Sequence, residues 1–166
     1  MVVLAGFGVH RAGSVSATKI PAVNTAPETT ASTDYSKIGS LKDIISTLDY
    51  TSFPTEIKQI YVPGAIAEGY KETDRSEQSK YINIFYENDG DGWYKYRQMT
   101  VEQKTFLDTE EGDWTSITIG QYPGMYLDKD GTVDLWWFDY TYAYQLVGNL
   151  SEKEMMAVAE SLAAEK

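Results

Sequence analysis

The chain has 166 residues, 42% of them apolar and 13% aromatic, enough for one domain with a real core and too apolar for a disordered polymer. Fourteen basic residues against twenty-five acidic ones give a net charge of −11, which repels phosphate backbones and argues against nucleic-acid binding. There is no cysteine and one histidine, His10, so disulfides, thiolate metal sites, multi-histidine metal sites and histidine catalysis are effectively closed off.

Residues 1–9 are all apolar or glycine, well short of the about 20 that a bilayer requires. His10 and Arg11 follow. Two readings fit this start: the outer end of a membrane or signal helix, or a short strand packed on the domain. Residues 12–33 are mostly Ala, Ser, Thr and Pro, a linker composition with little to bury. The predicted organisation is therefore an apolar segment plus linker over 1–33 and a single domain over 34–166. The linker part is nearly neutral, so the acidity belongs to the domain.

Ser40 precedes a stripe of Leu41, Ile44, Ile45 and Leu48 at helical spacing, and Asp43 completes a capping-box pattern. A helix is predicted over 40–49, closed by Pro54. Residues 57–147 read as strands: 57–62, 65–72, 81–86, one within 93–104, 114–119, 124–127, 132–138 and 142–147. In the third of these Ile82, Ile84 and Tyr86 share a face. Asp130-Gly131 is a strong hairpin signal. Ser151 and Glu154 form a second capping box, flanked by Leu150 and Met155 at the staple positions. Met155, Val158, Ala159 and Leu162 then form one apolar stripe. Helix, meander and helix predict an α+β fold, an antiparallel sheet packed by an N-terminal and a C-terminal helix.

Asp128, Asp130 and Asp134 have a spacing that can wrap calcium, but the bidentate acid expected about 12 residues on is missing, and a solvated hairpin turn explains them. No metal is assigned there, nor to the similar turn at 88–92. Two acids can suffice for glycoside hydrolysis; Asp139, in its aromatic setting, is the acid most open to perturbation, and the plain reading makes it a turn residue. A serine nucleophile lacks a base, and no phosphate-binding or dinucleotide fingerprint is present.

The run 136–144 is the most informative feature. A hairpin centred on Tyr140 and Thr141 pairs Trp137 with Tyr144 and Leu135 with Leu146. It puts Leu135, Trp137, Tyr142, Tyr144 and Leu146 on a core face. Trp136, Phe138, Ala143, Gln145 and Val147 take the other face, which is either covered by a second layer or open as a contact surface. The open alternative makes Trp136, Phe138, Tyr140 and Gln145 the candidate binding residues.

The ordered set Ile117-x-Ile119-Gly120, Gly124-x-Tyr126, Leu135-x-Trp137-x-Asp139, Tyr144-x-Leu146-x-Gly148-x-Leu150-Ser151-x-x-Glu154 and Ala159-Glu160-Ser161-Leu162 resembles a domain-of-unknown-function family. That family forms the extracytoplasmic C-terminus of anti-sigma-factor-like membrane proteins in Gram-positive bacteria, and of related envelope lipoproteins. The resemblance implies an antiparallel α+β fold outside the membrane, joined by a linker to a transmembrane helix, with no catalytic residues to carry over. The expected function is a non-enzymatic sensory or interaction domain without cofactor. Its partner would be an envelope protein or cell-wall ligand. The alternative is a secreted cell-wall or glycan-binding module, with a two-acid hydrolase or a purely structural stalk domain behind it.

Overall fold

The computed structural model describes residues 40–106, 109 and 112–166. The expectations for 1–33, His10 among them, lie outside the described residues. The protein is built mainly of antiparallel sheet with a few helices. In chain order the elements are α1 (Leu41–Ile45), β1 (Tyr61–Pro63), β2 (Lys71–Glu77), β3 (Tyr81–Glu87), β4 (Trp93–Met99), β5 (Thr115–Ile119), β6 (Tyr122–Lys129), β7 (Thr132–Phe138), β8 (Ala143–Gly148), α2 (Glu152–Glu160) and β9 (Leu162–Ala164). Seven strands form one sheet in the order β2-β3-β4-β8-β7-β6-β5, and β1 pairs with β9 in a small separate ribbon. Among the described residues no helix is long and apolar enough to cross a membrane.

Both capping boxes are present. Ser151 Oγ accepts from the Glu154 backbone amide while Glu154 reaches back to Ser151, and Ser40 and Asp43 do the same for α1. Each satisfies donors that a helix start otherwise leaves orphaned. Leu150 and Met155 are both buried, closing the staple. The helices are shorter than predicted. After Ile45 the chain tightens into i→i+3 bonds, while Ser46 Oγ and Thr47 Oγ1 bond back to the carbonyls of Asp43 and Ile44. Such hydroxyls compete with the helical ladder. At the other end Leu162 leaves the helical stripe and pairs with Pro63 in the ribbon.

The strand between 65 and 72 is displaced. Residues 64–70 form a connection, and the strand is the charged stretch Lys71–Glu77. It lies at the sheet edge, exposed along nearly its whole length, where charge rather than apolar alternation keeps other chains from pairing. The predicted strand 57–62 survives only as β1. Its first residues are instead held by one backbone bond, Ile57 N to Ser79 O, and by side chains: Tyr142 Oη accepts from Lys58 N and Gln98 Nε2 donates to Gln59 O.

The central hairpin has the predicted register, with Trp137 opposite Tyr144 and Leu135 opposite Leu146. The β6–β7 turn has Asp130 and Gly131 at φ 54° and 78°, the positive pair that a type I′ turn needs. Gly148 lies where a Cβ would run into the Trp93 carbonyl and Tyr94, so the end of β8 accepts no side chain.

Alternation then gives the sheet two apolar faces. The first carries Ile82, Ile84, Tyr96, Leu135, Trp137 and Leu146, covered by Met155, Val158 and Ala159 of α2 and by the β1 segment. The second carries Met125, Trp136, Phe138 and Ala143, covered by Leu41 and Ile44 of α1 and by Phe106. Each fully buried aliphatic side chain contributes about 1.5–3 kcal/mol, so even the five-residue α1 is held mainly by what it covers.

Candidate functional site

The candidate contact residues 136, 138, 140 and 145 are not an open surface. Trp136 is 1% exposed and Phe138 0%. Phe106 packs on Trp136 with ring centroids 5.9 Å apart, and Phe53 meets Phe138 edge-on at 5.7 Å. Tyr140 is half-buried and packs against Phe138 at 5.4 Å. Gln145 is buried, its Nε2 donating to both oxygens of Asp134 at 3.0 and 3.1 Å. The face assignment is correct, but the second layer covers it. A ring sealed in this way stabilises the fold.

Asp139 is turn residue and perturbed acid at once. Tyr140 has φ 70°, a strained value for a side chain of that size. The Asp139 carboxylate secures the turn: Oδ1 accepts from Thr141 N at 2.9 Å and Tyr142 N at 2.7 Å, and Oδ2 accepts from Tyr144 Oη at 2.7 Å. Burial raises its pKa above the usual carboxylate value despite these bonds, which pull the other way. Burial likewise pushes the Tyr86 hydroxyl up to about 12, with Glu72 adding to the rise. The carboxyl oxygens of Asp139 are committed to the hairpin. Asp128 and Asp130 are exposed at the β6–β7 turn and Asp134 holds Gln145. Among the described residues no three His, Cys, Asp or Glu side chains converge as a metal would require.

Among the described residues the second face also exposes large side chains away from this cover. Its cover lies over one end of the sheet, where α1 meets β6 and Phe106 meets Trp136. Further along β3 and β4 the same pleat presents Asn83 and Phe85, then Trp93, Lys95 and Arg97. Phe85 and Trp93 are each 37% exposed, and with Ile66 they are the exposed large apolar side chains of the described residues. The Lys95 ammonium lies 5.8 Å from the Phe85 ring centroid, within cation–π range.

Arg97 is held from the side. Its Nε donates to Asn83 Oδ1 at 2.6 Å, and Asn83 Nδ2 donates to Ser76 Oγ at 3.2 Å. This chain across three strands fixes the amide and aims the guanidinium. Among the described residues no carboxylate pairs with Arg97 or Lys104. Lys80, by contrast, pairs with Glu102. A shallow depression of about 380 Å³ lies here, between Arg97, Asn83 and Tyr81 on the sheet and Lys104 and Thr105 on the following loop.

The sequence held a signal for this site that the strand reading passed over. Phe85 sits out of phase with Ile82, Ile84 and Tyr86, and Trp93-x-Lys95-x-Arg97 out of phase with Tyr94 and Tyr96. A large ring on the side of a strand opposite the core is what a contact surface looks like in one dimension.

A family described as Domain of unknown function (DUF4367) matches residues 60–162. The chain belongs to this family. The DUF4367 match takes in the whole seven-stranded sheet and α2 and leaves out α1. No curated protein matches the chain. The motifs that carried the resemblance, 117–162, fall inside the DUF4367 span, and so do Asn83, Phe85, Trp93, Lys95 and Arg97.

Proposed function

We propose that this chain is the non-catalytic, extracytoplasmic sensory or interaction domain of a membrane-anchored envelope protein of the anti-sigma-factor-like class, and that it works by binding through the open half of its second sheet face. The supporting observation is the pairing of two exposed aromatic rings, Phe85 and Trp93, with the cations Lys95 and Arg97 on interior strands of one sheet. Rigid rings on a rigid scaffold lose little entropy on binding. A bound partner changes how the anchored protein is held only if it distinguishes two of its states. The reading as a secreted cell-wall or glycan-binding module is favoured by the same rings, which suit stacking on sugars.

Two measurements test this. A reporter fused after Lys166 in the full-length protein is expected to be active only outside the membrane; activity inside removes the extracytoplasmic reading. A photo-crosslinking residue in place of Phe85 is expected to trap an envelope component in cells, whereas the same residue at Lys153 on α2 does not. Equal yields at both positions remove the surface.

A further inference from the structure

Building on the binding reading above, we propose that the open half of the second face binds an acidic polysaccharide, with Phe85 and Trp93 stacking on sugar rings and Arg97, beside Lys104, taking a sugar carboxylate.

Charge supports this occupant. In a chain of net charge −11, the depression gathers Lys80, Arg97 and Lys104 around a single acid, Glu102, which Lys80 occupies. The Debye length at physiological ionic strength is about 8 Å, so at Arg97 these cations outweigh distant acids, while Trp93 at the other end of the surface stands opposite Glu87 and beside Asp91 and contributes ring stacking only. Arg97 is also shaped for the task. Its Nε is anchored to Asn83, and both terminal nitrogens carry no hydrogen bond among the described residues. A guanidinium held this way presents a planar fork that matches a carboxylate.

The backbone argues against a peptide. β3 and β4 lie inside the sheet, paired on both sides. Their amides and carbonyls are spent on the ladder, so an extended peptide cannot add as a strand here. A ligand of this face must be held by side chains alone, through ring stacking and ion pairing. Trp93 and Arg97 stand four residues apart on β4, or ~13 Å along the strand, so one ligand that engages both must be a chain and not a single small anion.

The test uses the full chain and three polymers: polygalacturonate, neutral dextran and polyglutamate. Calorimetry is expected to show binding to polygalacturonate that weakens with salt, and none to the other two. Arg97→Gln should weaken it at least tenfold. Arg97→Lys, which keeps the charge and loses the fork, should recover only a minor part. Trp93→Ala should weaken it several-fold, and Lys153→Gln on α2 not at all. Matching thermal melts establish that each variant is folded. Polyglutamate binding as tightly as polygalacturonate would instead identify an acidic protein segment as the ligand. Arg97→Gln binding like the parent would reduce the effect to nonspecific polyelectrolyte attraction. If no polymer binds while Phe85 still crosslinks in cells, the polysaccharide is wrong and the interaction surface stands; if crosslinking fails too, both fall.

Discussion

The two faces of the sheet are built from the same alternation and end differently. The first is closed from β3 across to β5 by α2 and the β1–β9 ribbon. The second is closed over one end, by α1, Phe53 and Phe106, and among the described residues it exposes Phe85 on β3 and Trp93 on β4. Periodicity alone does not separate them, because each strand offers aromatic residues to both sides. What turns a face into core is the cover, and the cover comes from segments distant in sequence. On the first face α2 and β1 lie within the DUF4367 span; on the second, α1 lies before it.

Two adjacent tryptophans test the comparison most sharply. Trp137 stacks on Tyr144 at 5.2 Å on the first face, and Trp136 packs on Phe106 on the second. If both faces are true core, Trp136→Ala and Trp137→Ala each lose about 3–5 kcal/mol in urea unfolding. A loss below about 1 kcal/mol for Trp136→Ala would mean that α1 and Phe106 rest loosely on the sheet, and would reopen that ring to partners.

The hairpin between these faces depends on Asp139. Asp139→Ala strands two backbone amides and the Tyr144 hydroxyl, at a cost of about 1–3 kcal/mol. The pH response carries more information. A carboxyl whose pKa is raised by folding binds its proton more tightly in the folded state. Its contribution is most favourable below the unfolded value of about 3.9 and is lost as pH rises through the folded pKa, where a buried group must ionise. Asp139→Asn keeps an oxygen for the two amides and has nothing to ionise. Its stability relative to the parent is therefore expected to rise with pH across that window, read as urea midpoints from about pH 4 to neutral. Parallel curves for the two proteins would show that Asp139 is ionised at no cost.

The sequence was most legible where local chemistry decides. Both capping boxes, the Leu150–Met155 staple, the turn at Asp130-Gly131 and the register of Trp137 on Tyr144 follow from neighbouring residues and pleat geometry. It was least legible where distant segments decide. The charged strand β2 shows no apolar period because this edge strand buries almost nothing. Residues 57–60 look like a strand but are held by Tyr142 and Gln98 from far along the chain. The cover of the second face was illegible for the same reason: Trp136 and Phe138 dominate the sequence by size, and nothing near them announces α1 or Phe106 as their lid.

The two caps compare the helices themselves. Ser151→Ala removes the acceptor for the Glu154 amide and is expected to cost about 1 kcal/mol. Ser40→Ala removes the same interaction from a helix of five residues whose hold comes from Leu41 and Ile44. Its cost should appear mainly as faster amide hydrogen exchange over residues 41–48, with a smaller change in global stability. If Ser40→Ala lowers global stability as much as Ser151→Ala, the cover of the second face is as integral to folding as that of the first.

The smallest expected effect lies at the open end. Phe85→Ala removes a ring that is 37% exposed and leaves no sealed cavity, so its cost should be about 1 kcal/mol or less. Phe138 lies on the same face of the sheet, under Phe53 and Phe106, and is fully buried. Phe138→Ala should cost about 3–5 kcal/mol. The same deletion on one face thus measures the boundary between lid and open surface directly. Equal losses at Phe85 and Phe138 would mean that the open half is buried in solution by something that binds it, and a Phe85→Ala effect that grows with protein concentration would name a second copy of this chain as the cover.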